Sequence, residues 1–255
     1  MKKIFVFLFL FLSFNIIVKG QFINEKKEIQ DSAFTIPMIN VSYAYQWSGA
    51  EMEYRFGSNS NIGGSFMVKT KKGWTFGFKG NFLWGGTVND KNVLRNITTS
   101  DGYLIDNEGR LTDVHLGQRG SSFFLIGGKL INKLAPNKNS GFLIYCGIGI
   151  LQHKISIKFQ DNIASLTDEY KKGYDRFSLG YAFNGFAGYM FMSKNRLANF
   201  FGGFDYTYGR TKSLRKFNYD TQENDTKTHT NILYGVRIGW IIRLNKRQSQ
   251  EYYYY

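Results

Sequence analysis

Trp74-Thr-Phe-Gly-Phe-Lys-Gly-Asn-Phe-Leu-Trp84 places Trp74, Phe76, Phe78, Gly80, Phe82 and Trp84 on one face of a strand. Thr75, Gly77, Lys79, Asn81 and Leu83 fall on the other, because side chains alternate with period two. An aromatic face that begins and ends in tryptophan suits lipid, with an amphipathic ring at each interface. A rise of about 3.3 Å per residue, projected at a tilt of about 40°, carries the segment across roughly the 25 Å apolar band of an outer-membrane barrel.

Seven further segments repeat the pattern. The alternation predicts eight strands at 38–47, 61–71, 73–84, 122–133, 141–152, 176–191, 198–209 and 230–244. In the first, Ile39, Val41, Tyr43, Tyr45 and Trp47 oppose Asn40, Ser42, Ala44 and Gln46. In the last, alternate residues from Ile232 to Leu244 oppose Gly235, Arg237, Gly239 and Arg243, with Leu233 and Ile241 as apolar exceptions. The connections alternate as well. Those after even-numbered strands are short, whereas 48–60, 85–121, 153–175 and 210–229 are long and polar. Short turns on one side and long loops on the other are the signature of a transmembrane barrel with periplasmic turns and extracellular loops.

The chain opens with a basic Met1-Lys2-Lys3, an apolar run from Ile4 to Val18 and a small-residue site at Val18-Lys19-Gly20, the features of a signal peptide. Cleavage is expected before Gln21. It removes three lysines and no acid, leaving 30 basic against 19 acidic residues, a balance of +11. No later run approaches the length of a membrane helix. The predicted class is all-β: an eight-stranded antiparallel transmembrane β-barrel of outer-membrane type. It divides into signal peptide 1–20, periplasmic segment 21–37, barrel 38–244 and a periplasmic tail 245–255.

A soluble eight-stranded barrel would share the alternation with its faces reversed. Glycine favours the membrane reading: Gly77, Gly127, Gly147, Gly149, Gly180, Gly188, Gly203, Gly235 and Gly239 sit on the less aromatic face, where a narrow lumen has little room. The mature chain thus resembles the small eight-stranded outer-membrane barrels. Gln21 at the mature start, the long loops and the Tyr-rich end make it similar to Bacteroidota-type members. That resemblance implies a membrane barrel and brings no catalytic motif. The chain departs from the usual barrel ending, since Asn245 to Tyr255 follow the last strand.

Lys69, Lys79, Asn81, Lys129, Asn184, Asp205 and Arg237 are the candidate lumen network. Asp205, the sole strand acid, is expected to pair with Lys79, Lys129 or Arg237, because an unpaired buried charge is costly. Trp47, Trp74, Trp84 and Trp240 are expected interface anchors. Of the 19 acids, 14 lie in or beside the long loops, while Lys71, Lys72, Lys133, Lys138, Lys194 and Arg196 make the turn side basic. Those bases suit inner-leaflet lipid phosphate or an acidic periplasmic partner. Lys246, Arg247, Tyr252, Tyr253, Tyr254 and Tyr255 are partner-binding candidates or an interfacial anchor. Nucleic acid is not an expected partner of an exported barrel.

His115, His153 and His229 lie near the loops, and Ser156 is close to His153 in sequence. Three residues along a strand puts those two on opposite faces, so no triad forms. Asp161, Asp168, Glu169 and Asp175 match no Ca²⁺ loop spacing. Cys146, the single cysteine, forms no internal disulfide and is read as a small strand residue. No catalytic residue, metal or cofactor is assigned. The expected function is a structural or accessory subunit of an envelope complex for secretion or outer-membrane assembly. The alternatives are surface adhesion through the long loops and lipid modification at a loop histidine. Outer-membrane lipid, lipopolysaccharide and a periplasmic or outer-membrane protein are the expected partners.

Overall fold

The computed structural model describes residues 35–90, 92–133, 135–159, 167–193, 198–215 and 217–244. Eight long strands close into one antiparallel barrel in the order β1-β10-β9-β8-β7-β6-β3-β2. They are β1 (Ile36–Ala50), β2 (Asn59–Lys69), β3 (Trp74–Gly85), β6 (Val114–Ile131), β7 (Gly141–Phe159), β8 (Ser178–Met192), β9 (Asn199–Ser213) and β10 (Thr228–Arg243). Two-residue strands β4 (Leu104–Ile105) and β5 (Leu111–Thr112) form a separate hairpin, and short helices α1 (Glu51–Arg55) and α2 (Asp168–Lys171) lie in the loops.

The opening tryptophans measure the barrel's stagger. The register runs from Trp74 to Lys129, Ile144, Ala187, Phe204, Val236, Tyr45 and Ser60, and returns to β3 at Trp84. One circuit therefore shifts the ladder by the ten residues between the two rings. Ten residues at about 3.3 Å against eight strands at about 4.8 Å gives a tilt of about 40°, so Trp74 and Trp84 sit at opposite edges of the apolar band.

Outward residues of that band are large, apolar and exposed, from Ile39, Tyr43 and Trp47 on β1 to Val236, Ile238 and Trp240 on β10. In water such a continuous apolar belt would drive aggregation; in a bilayer it is the stable exterior of a closed barrel with no free edge. The protein is an outer-membrane barrel on this physical ground. The lumen is packed with the opposite set, including Leu83, Phe124, Leu151, Leu233 and Ile241. The two exceptions Leu233 and Ile241 are thus lumen residues that fill space between polar layers.

Eight of the nine predicted lumen glycines face inward. A methyl on Gly149 would strike the Phe123 carbonyl oxygen, and one on Gly235 the Tyr45 carbonyl oxygen. Gly127 is the exception: it faces lipid, its nearest neighbour being the outward Phe76 ring, and Gly128 takes the inward position. At the short turn before β3, Gly73 adopts φ of 81°, and a side chain there would meet the Leu130 carbonyl oxygen at 2.6 Å.

β6 begins eight residues before the predicted 122, and β7 ends seven residues after the predicted 152. Above the band their outward positions become His115, Arg119, Ser121, Gln152, Lys154 and Lys158. Lipid-facing alternation stops there while backbone pairing continues, which is why the pattern ended early and 85–121 read as a single loop.

Candidate functional site

Three strands aim their inward charges at one level of the lumen. Asp205 on β9 is 1% exposed, and its Oδ1 lies 3.2 Å from Lys79 Nζ on β3 while its Oδ2 lies 3.0 Å from Arg237 Nη2 on β10. Gln46 donates to Oδ2 at 3.1 Å and Asn184 to Oδ1 at 3.2 Å, so four donors converge on one carboxylate. Lys79 also donates to Asn184 Oδ1 at 2.6 Å and stands 5.3 Å from the Tyr145 ring centroid. Arg237 reaches Ser42 at 2.9 Å and Asn61 at 3.3 Å, and Asn61 donates to Gln46 at 3.2 Å. Low dielectric makes such a set strongly cohesive when satisfied. Two cations against one anion leave the layer with a formal charge of +1.

Of the other predicted lumen residues, Asn81 donates to Ser122 at 3.0 Å and Lys69 donates to Asn139 at 2.9 Å near the turn end. Lys129 is outside the barrel. It is one residue out of phase with the lumen set, is exposed, and places its ammonium 5.0 Å from the Trp74 ring centroid. A space of about 10 Å³ adjoins Arg237, Lys79 and Tyr145, room for about one water. The described lumen is a packed core crossed by a charged layer.

The four predicted anchors all face outward. Trp47, Trp74 and Trp240 are exposed and Trp84 is half-buried, its ring 6.1 Å from Phe82. The basic turn residues Lys71, Lys72, Lys133 and Lys138 are exposed. Lys194, Arg196, Lys246, Arg247 and Tyr252 to Tyr255 lie outside the described residues, as do the signal peptide, Gln21 and Asp161.

The outer mouth is tied across the loops. His229 Nδ1 lies 2.6 Å from Glu51 Oε2, and Nε2 lies 2.8 Å from Asp225 Oδ2. Nε2 also lies 3.3 Å from Arg55 Nη2. Arg55 joins at 3.5 Å from Asp225. The hydrogen bond from His229 holds the Glu51 carboxyl below its ordinary value. Burial opposes ionisation at Asp225, but His229 and Arg55 outweigh it and lower that carboxyl too. Arg176 pairs with Asp220, and with Asp90 at 3.4 Å, while Arg215 holds Asp175 at 2.6 Å. Sequence reasoning missed this network because its members are scattered over four loops without periodicity.

The three histidines do not converge. His115 is exposed on the lipid-side face of β6, and His153 is 1% exposed inside, edge-on to Phe56 at 5.7 Å. Ser156 faces the opposite way from His153, as expected. No hydroxyl or thiol side chain is hydrogen-bonded to a histidine ring, and no metal-binding cluster occurs, among the described residues.

The β4–β5 hairpin presents Ile105 and Leu111 as a cross-strand pair, 55% and 63% exposed, over buried Leu104 and Thr112. Asp106 fixes its turn by accepting from the backbone of Glu108 and Arg110, both at 2.8 Å, and from Arg110 Nε at 3.0 Å.

No family model and no curated protein matches the chain. Among solved structures it is similar to Neisserial surface protein A, at 10% identity over 82% of this chain and 97% of that one, with a TM-score of 0.42. The attachment invasion locus protein Ail of Yersinia pestis matches at 9% identity over 82% and 99%, TM-score 0.36. OprG of Pseudomonas aeruginosa matches at 13% over 84% and 98%, TM-score 0.33.

Proposed function

We propose that this is a non-enzymatic outer-membrane barrel whose working surface is its outer mouth, where the ordered loops recognise a protein or glycan outside the cell. The observation that carries this reading is the Ile105–Leu111 pair, held on a fixed hairpin away from the lipid belt. Exposed apolar patches with polar surroundings mark interaction sites, and the ion pairs among the loops lower the ordering cost of binding. The packed lumen supports a role at the surface over transport through the barrel. Outer-membrane phospholipid and lipopolysaccharide surround the barrel on this reading.

The test is binding of the purified barrel, in lipid nanodiscs, to a glycan array and a panel of extracellular proteins. A ligand should be found, and Ile105→Ser with Leu111→Ser should abolish its binding while the barrel stays folded. Binding that survives this double change overturns the assignment to the hairpin.

A second reading is favoured by the exposed Lys71, Lys72, Lys133 and Lys138 at the short turns: an accessory subunit docked to acidic periplasmic machinery for secretion or assembly. Deletion of 90–115 leaves that function intact, whereas deletion of 248–255 together with charge removal at the turns abolishes it. Lipid modification, the third reading, requires a changed lipid profile on His115→Ala, His153→Ala or His229→Ala.

A further inference from the structure

The lipid face of the barrel is not uniform. Across β6, β7 and β8 the outward positions Gly127, Cys146 and Gly185 pair side by side, and the row ends at Tyr206 on β9. Above them stand Leu125, Ile148 and Phe183, and together these residues line a groove of about 510 Å³. A methyl on Gly185 would meet nothing within 4 Å. The row climbs about 3 Å per strand along the barrel axis, so the groove slants through the apolar band.

Lys129 stands two residues below Gly127 on the same strand. Between the Trp74 and Trp84 levels it is the one charged outward side chain among the described residues, and no carboxylate pairs with it there. A lysine on the lipid face is costly toward the bilayer midplane and nearly neutral at the interface, where its ammonium meets lipid phosphate. Lys129 pairs in register with Trp74 at the turn-side boundary, which is the inner leaflet of an outer membrane.

We infer that this groove is a specific phospholipid site: one acyl chain lies along Gly127, Cys146 and Gly185, and the phosphate is held by Lys129. The trough is one residue row wide. A helix about 10 Å across rides on its walls without reaching the floor. A second copy offering the same face sets hollow against hollow, leaving a void where a self-complementary interface needs a knob. A flexible alkyl chain fills it.

The test is native mass spectrometry of the protein extracted from outer membranes in mild detergent. Wild type should retain one phospholipid. Lys129→Gln should lower that retention about fivefold, the weight of one lysine on an anionic lipid surface, and Gly185→Leu, which fills the floor, should lower it at least as much. Gly64→Leu is the control: Gly64 also faces lipid over open space with no outward cation on its strand within the apolar band, and retention should not change. As a second measurement, phosphatidylglycerol added to delipidated protein should slow maleimide reaction at Cys146 in wild type and not in Lys129→Gln. Retention equal in Lys129→Gln and wild type, equal loss in Gly64→Leu, or lipopolysaccharide as the retained molecule overturns the proposal.

Discussion

Replacing Asp205 by Asn tests whether the charged lumen layer holds the barrel together. The change removes one anion from a layer with two cations, leaving Lys79 and Arg237, which were 3.2 Å and 3.0 Å from its oxygens, both without a counter-ion. The amide also turns NH₂ toward donors, since Gln46 and Arg237 face one oxygen while Lys79 and Asn184 face the other. Breaking a buried pair by deleting one partner costs about 3–5 kcal/mol, or roughly two to four decades in the folding equilibrium. Lys79→Met is the informative comparison. It leaves Asp205 paired with Arg237, brings the layer to formal neutrality and keeps apolar contact with Phe124 and Tyr145, so its cost is about 1–2 kcal/mol for the lost hydrogen bonds. The double variant is expected to be more stable than Asp205→Asn alone, because it carries one orphaned cation where the single variant carries two. Urea-driven unfolding from lipid vesicles, followed by tryptophan fluorescence and by heat-modifiable gel mobility, gives all three values. A cost below about 1 kcal/mol for Asp205→Asn, or a greater cost for Lys79→Met, refutes the reasoning.

Planar-bilayer recordings of wild type should show no stable conductance, and Asp205→Asn should create none, because the lumen is filled above and below the layer. Gly149→Val should abolish folding, since its side chain meets the Phe123 backbone, whereas Gly64→Val should fold; gel mobility after refolding separates them. The loop ties should be acid-sensitive. The lowered carboxyls of Glu51 and Asp225 stabilise above their ordinary values of 4.5 and 3.8 and lose that contribution as pH falls through the depressed ones. Amide protection at 51–58 and 217–230, with the intrinsic exchange rate at each pH divided out, should therefore fall sharply below about 4, more so than protection in the barrel strands.

How far the sequence reached is clearest at Lys129 and Trp74. Hydrophobic alternation locates strands because lipid enforces it, and it succeeded wherever large apolar side chains line the lipid face. It also put Lys79, Asp205 and Arg237 at inward positions, since parity alone fixes the face. It failed where parity had no strong reader: β6 carries Gly127-Gly128-Lys129, two glycines before a cation, and assigning the first glycine to the lumen moved the lysine there as well. A one-residue slip reverses every face. The register corrects it, because Lys129 pairs with Trp74, whose outward direction is set by eleven residues of alternation. The outer ion pairs were invisible for a related reason. Glu51 and His229 lie 178 residues apart and meet only because a ladder shifted by ten residues closes β10 against β1. The two tryptophans at the ends of one strand are the same hydrogen-bonded row one circuit apart, so the spacing that spans the bilayer also sets the stagger that brings those loops together.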